Sequence, residues 1–212
     1  MTQIDIISTS IAIVAILISV ATLYVGYLRS AKLTILPSDH LHIGYYVDIG
    51  NLWITLGVGF ANDGVRTGGI ERLALLMLGP GTDEDFLLGA LTFQTVDVAG
   101  NFQTESYAGV VAVPGQEVVT KLVHFQASPE RPNECQLSHK GTYRFKLLGW
   151  TRASEKYDLA NSFTVTLNDD DIATLKQYKD NKTDSSIIVY NDVWRQWKAQ
   201  KLTKAELREL GP

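Results

Sequence analysis

The residues with the most evident chemical potential are two histidines, His40 and His42, which lie two positions apart. On a β-strand, side chains at positions i and i+2 share a face, so this pair could give two imidazole ligands to a metal ion. Only Asp39 adds a third ligand nearby in the sequence, whereas His124 and His139 lie far along the chain. We therefore expect an ordinary polar strand face here and no metal site.

Two other groups have residue types that could do chemistry. Asp169, Asp170 and Asp171 could bind calcium or magnesium, but the spaced oxygen ligands and glycine of an EF-hand loop are missing, and capping of a short helix explains them. Cys135 follows Glu134 in a polar segment, without the positive charge that stabilises a reactive thiolate. The sequence contains no nucleophile elbow, Walker-type phosphate loop or zinc-protease helix motif. We expect neither a catalytic residue nor a cofactor.

Charge is distributed unevenly along the chain. Residues 33–190 carry 12 Lys and Arg against 19 Asp and Glu, a net charge of −7, whereas residues 191–212 carry 5 basic and 3 acidic residues, a net of +2. Because an acidic body repels the phosphate backbone, we expect no nucleic-acid partner. The single cysteine excludes an internal disulfide and gives no indication of an oxidising compartment.

An uncharged segment of 23 residues, Ile6 to Leu28, stands at the start of the chain. As a helix it would span about 34 Å, enough to cross a hydrocarbon core of about 30 Å. A core helix of a soluble domain would carry a charged face, and a signal peptide would have Lys or Arg before a shorter apolar run. Here only Asp5 precedes the run. The sequence predicts a retained transmembrane helix rather than a cleaved signal.

The flanks of this helix predict its orientation. Arg29 and Lys32 follow it, and no Lys or Arg precedes it. Because positive residues remain on the cytoplasmic side, we expect the N-terminus outside and the large domain in the cytoplasm, in contact with the bilayer surface near these two cations. Tyr24 and Tyr27 fit an aromatic belt at the same end.

Small residues recur along one face of the predicted helix at spacings of four and three. They are Ser8, Ala12, Ala15, Ser19, Thr22 and Gly26. Small residues allow two backbones to approach closely in lipid, and this repeat favours left-handed packing. We expect a contact face for another transmembrane helix, either a second copy or a partner. Chance spacing is the alternative, since small residues are common in such helices.

After Lys32 the apolar period changes from helical to alternating, which is typical of half-buried strands. Candidate strands lie at 33–36, 53–60, 70–78, 86–94, 118–125, 143–147 and 163–167, separated by Gly- and Pro-containing turns. No helical segment is long enough for crossovers, so an antiparallel, immunoglobulin-like β-sandwich is predicted. Tyr143, close after a glycine, is a candidate to anchor a corner through its hydroxyl.

The end of the chain becomes helical again. A short helix is predicted near 169–180, and residues 186–190 form either a last strand or a buried loop. Residues 191–212 read as a basic, amphipathic helical tail, in which Trp194 and Trp197 share a face with Lys198 and Lys201 nearby. This face would contact the membrane interface or a partner protein, or its tryptophans would pack on the sandwich.

The predicted organisation is therefore an N-terminal flank (1–5), a transmembrane helix (6–28), a juxtamembrane linker (29–32), a β-sandwich domain (33–190) and the tail (191–212). Our leading hypothesis is a non-enzymatic, single-pass membrane protein with a binding, scaffolding or accessory role, whose partners are the bilayer and another transmembrane helix. One alternative is an extracytoplasmic module for ligand binding or envelope assembly. Another is an accessory subunit of a larger membrane enzyme complex.

Overall fold

A computed structural model describes residues 3–47, 50–80, 85–127, 137–183 and 185–193. The apolar segment forms helix α1, Gln3–Leu23, and continues as one π-helical turn, Tyr24–Leu28. None of the 19 residues from Ser10 to Leu28 is buried against the rest of the chain. At 1.5 Å per residue they extend about 28 Å. This segment is long and apolar enough to cross a membrane.

Each of the seven predicted strand segments lies in or overlaps a strand of the structure. In the described part of the chain, eleven strands and a second helix follow α1. They are β1 Leu33–Tyr45, β2 Leu52–Asn62, β3 Gly68–Ile70, β4 Arg72–Leu78, β5 Asp85–Val96, β6 Phe102–Tyr107, β7 Val111–Val113, β8 Val118–Ala127, β9 Gly141–Trp150, β10 Leu159–Leu167, α2 Asp169–Asp180 and β11 Ser186–Tyr190.

Nine of these strands form one antiparallel sheet, ordered β10-β9-β4-β5-β8-β2-β1-β11, in which β6 pairs with the end of β5. Strands β3 and β7 form a separate pair. The large sheet curls until β10 lies against β1, where Asn161 Nδ2 donates to the Ile35 carbonyl at 3.0 Å. The fold is therefore mainly β and nearly closed into a barrel. The immunoglobulin-like sandwich is not confirmed, because most of the core lies inside one curled sheet rather than between two packed sheets.

The alternation predicted for β2 explains how the core is filled. Ile54, Leu56, Val58 and Phe60 are fully buried in a single apolar cluster to which most of the large strands contribute. The intervening side chains point to the outer face of the sheet. Strand β2 therefore presents one face to the core and the other to the outside of the sheet.

Two local predictions are confirmed. The hydroxyl of the fully buried Tyr143 donates to the His139 carbonyl at 2.7 Å, and so anchors the start of β9. Helix α2 is capped by Asn168, whose side chain accepts from the Asp171 amide at 2.9 Å, while the Asp171 carboxylate accepts from the Asn168 amide at 3.0 Å. This reciprocal pair satisfies two helix-terminal N–H groups. Residues 186–190 form a strand rather than a loop.

Candidate functional site

The two predicted histidines lie on the outer face of β1, as their spacing indicated. Their ring centroids are 5.9 Å apart, and His40 Nδ1 lies 2.7 Å from an Asp39 carboxylate oxygen. The His42 ring turns instead toward Phe102 of β6, at 4.7 Å between centroids in an edge-to-face arrangement. In the described part of the chain, no three His, Cys, Asp or Glu side chains cluster closely enough to hold a metal ion. His42 therefore belongs to a mixed aromatic and polar surface.

This surface is one wall of a cavity of about 600 Å³. Its floor is the outer face of β1, β2 and β8, and the hairpin of β5 and β6 crosses over it as a lid-like arm. The turn of this arm is held by Asp97, whose carboxylate accepts the backbone N–H groups of Ala99 and Asn101 at 2.9 Å each. The bond from the Asn101 amide is the main reason that the pKa of Asp97 lies below its ordinary value.

A chain of hydrogen bonds runs across the cavity floor. The Tyr46 hydroxyl lies 2.5 Å from His124 Nε2, His124 Nδ1 lies 2.9 Å from Thr55 Oγ1, and Thr55 Oγ1 donates to Gln94 Oε1 at 3.1 Å. Because the Thr55 proton goes to Gln94, Thr55 accepts from His124 Nδ1–H. The other ring nitrogen then accepts the Tyr46 proton. The network therefore selects the Nδ1–H tautomer of a neutral imidazole.

Burial keeps this histidine uncharged. His124 is only 5% exposed and Thr55 is fully buried. Desolvation lowers the pKa of His124 to about 4. Burial also lowers the pKa of His42, with a smaller contribution from His40. At neutral pH the cavity floor thus presents hydroxyl, amide and neutral imidazole groups beside aromatic rings.

Sequence reasoning missed this cavity. Its residues come from β1, β2, the β5–β6 arm, β8 and the start of β11. The outward polar positions of the strands were visible in the alternation, namely Thr55 between Ile54 and Leu56. Their convergence depends on strand pairing, which a local pattern does not reveal.

The predicted interface cations, Arg29 and Lys32, lie in a linker that is bonded to the barrel. The Arg29 carbonyl accepts the Val65 and Arg66 amides at 3.4 Å each, and the Lys32 carbonyl accepts the Asp63 amide at 3.0 Å. These contacts make the linker part of the domain surface. It is not a loose tether.

The side chain of Asn62, which is 2% exposed, holds this linker against the barrel. Its side-chain oxygen accepts the Lys32 and Gly64 amides at 3.0 and 2.9 Å. Its Nδ2 lies 2.8 Å from the Arg66 carbonyl and 3.0 Å from the Val113 carbonyl. One buried amide therefore joins the linker, the loop after β2 and the end of β7.

The predicted helix-contact residues of α1 lie on an exposed helix. Ser19 Oγ donates to the Ala15 carbonyl and Thr22 Oγ1 to the Ile18 carbonyl, each at 2.8 Å. Ala12 and Ala15 face out of the fold, and Ala15 contributes to a shallow apolar groove with Ile11, Val14 and Ile18. Gly26 falls in the π-helical turn, where the α-helical spacing of the stripe no longer applies, and the Ser8 side chain lies outside the described part of the chain.

The predicted contacts of the tail, Trp194, Trp197, Lys198 and Lys201, lie outside the described residues, as does Cys135.

No protein-family model matches the chain, and no curated protein matches its sequence. Among solved structures it is similar to a FixG-related protein from Vibrio parahaemolyticus, with 10% identity and a TM-score of 0.31 over 63% of this chain and 94% of that one. It is also similar to a beta-D-glucoside glucohydrolase from Trichoderma reesei, with 13% identity and a TM-score of 0.27 over 64% of this chain and 18% of the enzyme. At these scores neither similarity supports an argument.

Proposed function

We propose that this chain is a single-pass membrane protein whose β-domain acts as a non-enzymatic binding, scaffolding or accessory module. One observation carries the proposal: every residue from Ser10 to Leu28 is exposed, although the β-domain beside this helix has a hydrophobic core to which the helix contributes nothing. Apolar side chains in such number are stable only where lipid or another helix covers them. The helix supplies the anchor, and the domain supplies the recognition surface.

The bonded linker gives this module a defined orientation. Hydrogen bonds of Arg29, Lys32 and Asn62 attach the end of the anchor to two loops of the barrel. The domain is therefore held close to the bilayer in one orientation. Confinement to a surface raises the effective concentration of a module for a partner in the same membrane. The mechanism is therefore presentation of a binding surface at a fixed height.

The cytoplasmic placement of the domain rests on Arg29 and Lys32, the positive residues next to the membrane segment. Fusing alkaline phosphatase to the C-terminus tests it, since this enzyme is active only outside the cytoplasm. We expect an inactive fusion. A fully active fusion would favour the extracytoplasmic ligand-binding or envelope-assembly module instead.

The helix stripe is proposed as the contact with another transmembrane helix. Replacing Ala15 and Ser19 by leucine puts two bulky side chains on the small-residue face, one of them in the groove, and is expected to reduce association in a membrane dimerisation assay or with a native partner. Replacing Ile13 and Val20 by leucine on the opposite face is the matched control and should leave association unchanged. Equal association of both double variants would remove the stripe from the account.

The module itself is tested by purification from native membranes in a mild detergent. We expect the full chain to be recovered with a membrane-protein partner that the Ala15→Leu, Ser19→Leu variant loses. Recovery with the subunits of a membrane enzyme would specify the accessory-subunit role. A chain recovered as a lone monomer would contradict the proposal.

A further inference from the structure

We propose that the cavity beneath the β5–β6 arm binds a neutral sugar of one or two rings. This rests on the proposed function as a binding module and assigns that module a class of ligand. Three observations point to the class. They are the uncharged character of the lining, the aromatic rings on two of its walls, and the hydroxyl and amide groups between them.

The described lining of the cavity carries no formal charge, and it therefore disfavours ionised ligands. Among its lining residues in the described part of the chain there is no Asp, Glu, Lys or Arg. Its two histidines, His42 and His124, are both kept neutral by burial. A carboxylate, phosphate or ammonium group would lose its water here without gaining an opposite charge, which is costly. The site therefore favours a polar molecule without formal charge.

The aromatic rings supply flat apolar surfaces. In the floor, the half-buried Tyr46 ring lies 5.8 Å from the buried His124 ring between centroids, and in the arm the half-buried Phe102 ring stands edge-to-face to His42 at 4.7 Å. A pyranose ring has apolar faces made of C–H groups, which pack on aromatic rings, and an edge made of hydroxyls. The cavity of about 600 Å³ that these rings line is large enough to hold such a ring.

The polar groups match that edge. Gln94, Thr104 and Ser186 line the cavity, and their amide and hydroxyl groups both donate and accept hydrogen bonds, as sugar hydroxyls do. His124 is bonded to Thr55, and Thr55 donates to the Gln94 side-chain oxygen and so fixes the orientation of that amide. A volume of about 600 Å³ lies within the range of small-molecule sites. One or two sugar rings fit this space.

The test uses the full chain in phospholipid nanodiscs, because detergents with sugar headgroups would compete. Glucose, N-acetylglucosamine, maltose and cellobiose are titrated by calorimetry up to about 20 mM, since weak sites have dissociation constants near 1 mM. Glucuronate and glucose 6-phosphate are the charged controls. We expect saturable binding of at least one neutral sugar and binding at least about tenfold weaker for its charged counterpart. Absence of saturable binding by all four neutral sugars, or equal binding of the charged ones, overturns the proposal.

Two variants locate the binding. Phe102→Ala removes a wall, and Thr104→Val removes a hydroxyl while preserving the shape of a strand residue. Each is expected to weaken binding about two- to tenfold, as loss of one ring contact or one hydrogen bond does. Phe86→Ala, which trims another half-buried ring outside the cavity, is the control and should bind like the parent chain. Unchanged affinity in both cavity variants would place the sugar elsewhere and refute the site.

Failure here is distinguishable from failure of the membrane module. A chain that stays in the membrane and retains its partner but binds no neutral sugar loses only this site. A chain that binds the sugar through Phe102 and Thr104 but is released from the membrane keeps the site and loses the anchor.

Discussion

At the scale of residues, burial decides what each polar group can do. His124 and Thr55 lie in a strand face that alternation marks as outward, yet the β5–β6 arm covers them. Each therefore needs a partner, and the chain from Tyr46 to Gln94 provides one at every step. The same holds for Asn62, whose side chain serves the linker and two loops at once. A sequence pattern shows the type of a residue, but it does not show whether another part of the chain buries its side chain.

The buried histidine predicts a pH-dependent stability. Folding lowers the pKa of His124 from 6.5 to about 4, so the unfolded chain binds more protons between these values. The contribution of His124 is therefore fully present above pH 6.5 and is lost as pH falls toward 4, by up to about 3 kcal/mol. His124→Gln should flatten this part of the stability profile, measured as unfolding free energy against pH.

Because carboxylates also titrate toward the acid end of this range, the comparison is the difference between parent and variant. Phe86→Ala, which trims a half-buried ring outside the cavity and leaves His124 in place, should retain the slope of the parent. If the slopes of His124→Gln and the parent agreed, the buried neutral imidazole would be disproved.

The Tyr143 hydroxyl predicts a second residue-scale effect. Tyr143→Phe removes its bond to the His139 carbonyl and is expected to cost about 1 kcal/mol of unfolding free energy. Tyr157→Phe is the control, because its hydroxyl bonds to Lys146 at the exposed surface and should change stability little. Equal values for the two variants in thermal unfolding would count against the anchoring role.

At the scale of elements, the sequence predicted most of the strands that bury one face, but it missed the three-residue strand β7 and the strand that buries no face. The alternation in β2, β9 and β10 followed their burial, and these strands were found. Strand β6 is exposed along nearly its whole length, so it has no apolar period to detect. Strand β1 was predicted only to residue 36 because its pairing with β2 is interrupted between Pro37 and Leu41, which breaks the period.

The closure of the sheet was outside the reach of local patterns. It depends on β4 pairing with β9 and on β10 lying against β1, contacts between segments far apart in the sequence. The sandwich expectation assumed two sheets, but a strongly twisted sheet can enclose a core alone. The candidate cavity escaped prediction for a similar reason, since its walls come from β1, β2, β8, β11 and the β5–β6 arm, which are also far apart in the sequence.

The backbone of Gly64 lies so close to the linker that a larger residue at this position is predicted to disturb the attachment. A Cβ at Gly64 would lie 2.1 Å from the Ser30 carbonyl oxygen and 2.6 Å from Ala31 Cα. Backbone atoms cannot yield as a flexible side chain does, so Gly64→Ala should displace the linker and lower the melting temperature. Proteolysis near residues 29–32 should also become faster.

Gly89→Ala is the matched control for this prediction. A Cβ at Gly89 in β5 meets nothing within 4 Å, so alanine should be neutral or slightly stabilising there. A Gly64→Ala chain with the melting temperature and cleavage rate of Gly89→Ala would show that the linker is not fixed to the barrel.

At the scale of the whole molecule, a linker that is hydrogen-bonded to the domain joins it to an exposed apolar helix. The sequence alone predicted a membrane-spanning helix, because an uncharged run of 23 residues has few stable environments besides lipid, and the structure contains an exposed helix that is long and apolar enough for it. The sequence did not predict that the linker is bonded to the barrel, because this attachment depends on Asn62 reaching three separate segments. The domain is accordingly proposed as a surface held at constant height above the bilayer.

The central claim is that the helix Ser10–Leu28 remains in the mature chain and lies in lipid. Extraction of native membranes with alkaline sodium carbonate, followed by intact mass analysis, tests it most directly. We expect the full chain in the membrane pellet, and release of an Ile13→Asp, Ile16→Asp variant, since each charge costs about 2.5–3.5 kcal/mol in the bilayer. Val110→Asp, at an exposed apolar residue of the domain, should stay in the pellet. Recovery of the parent chain in the aqueous fraction, beginning after Leu28, would contradict the account.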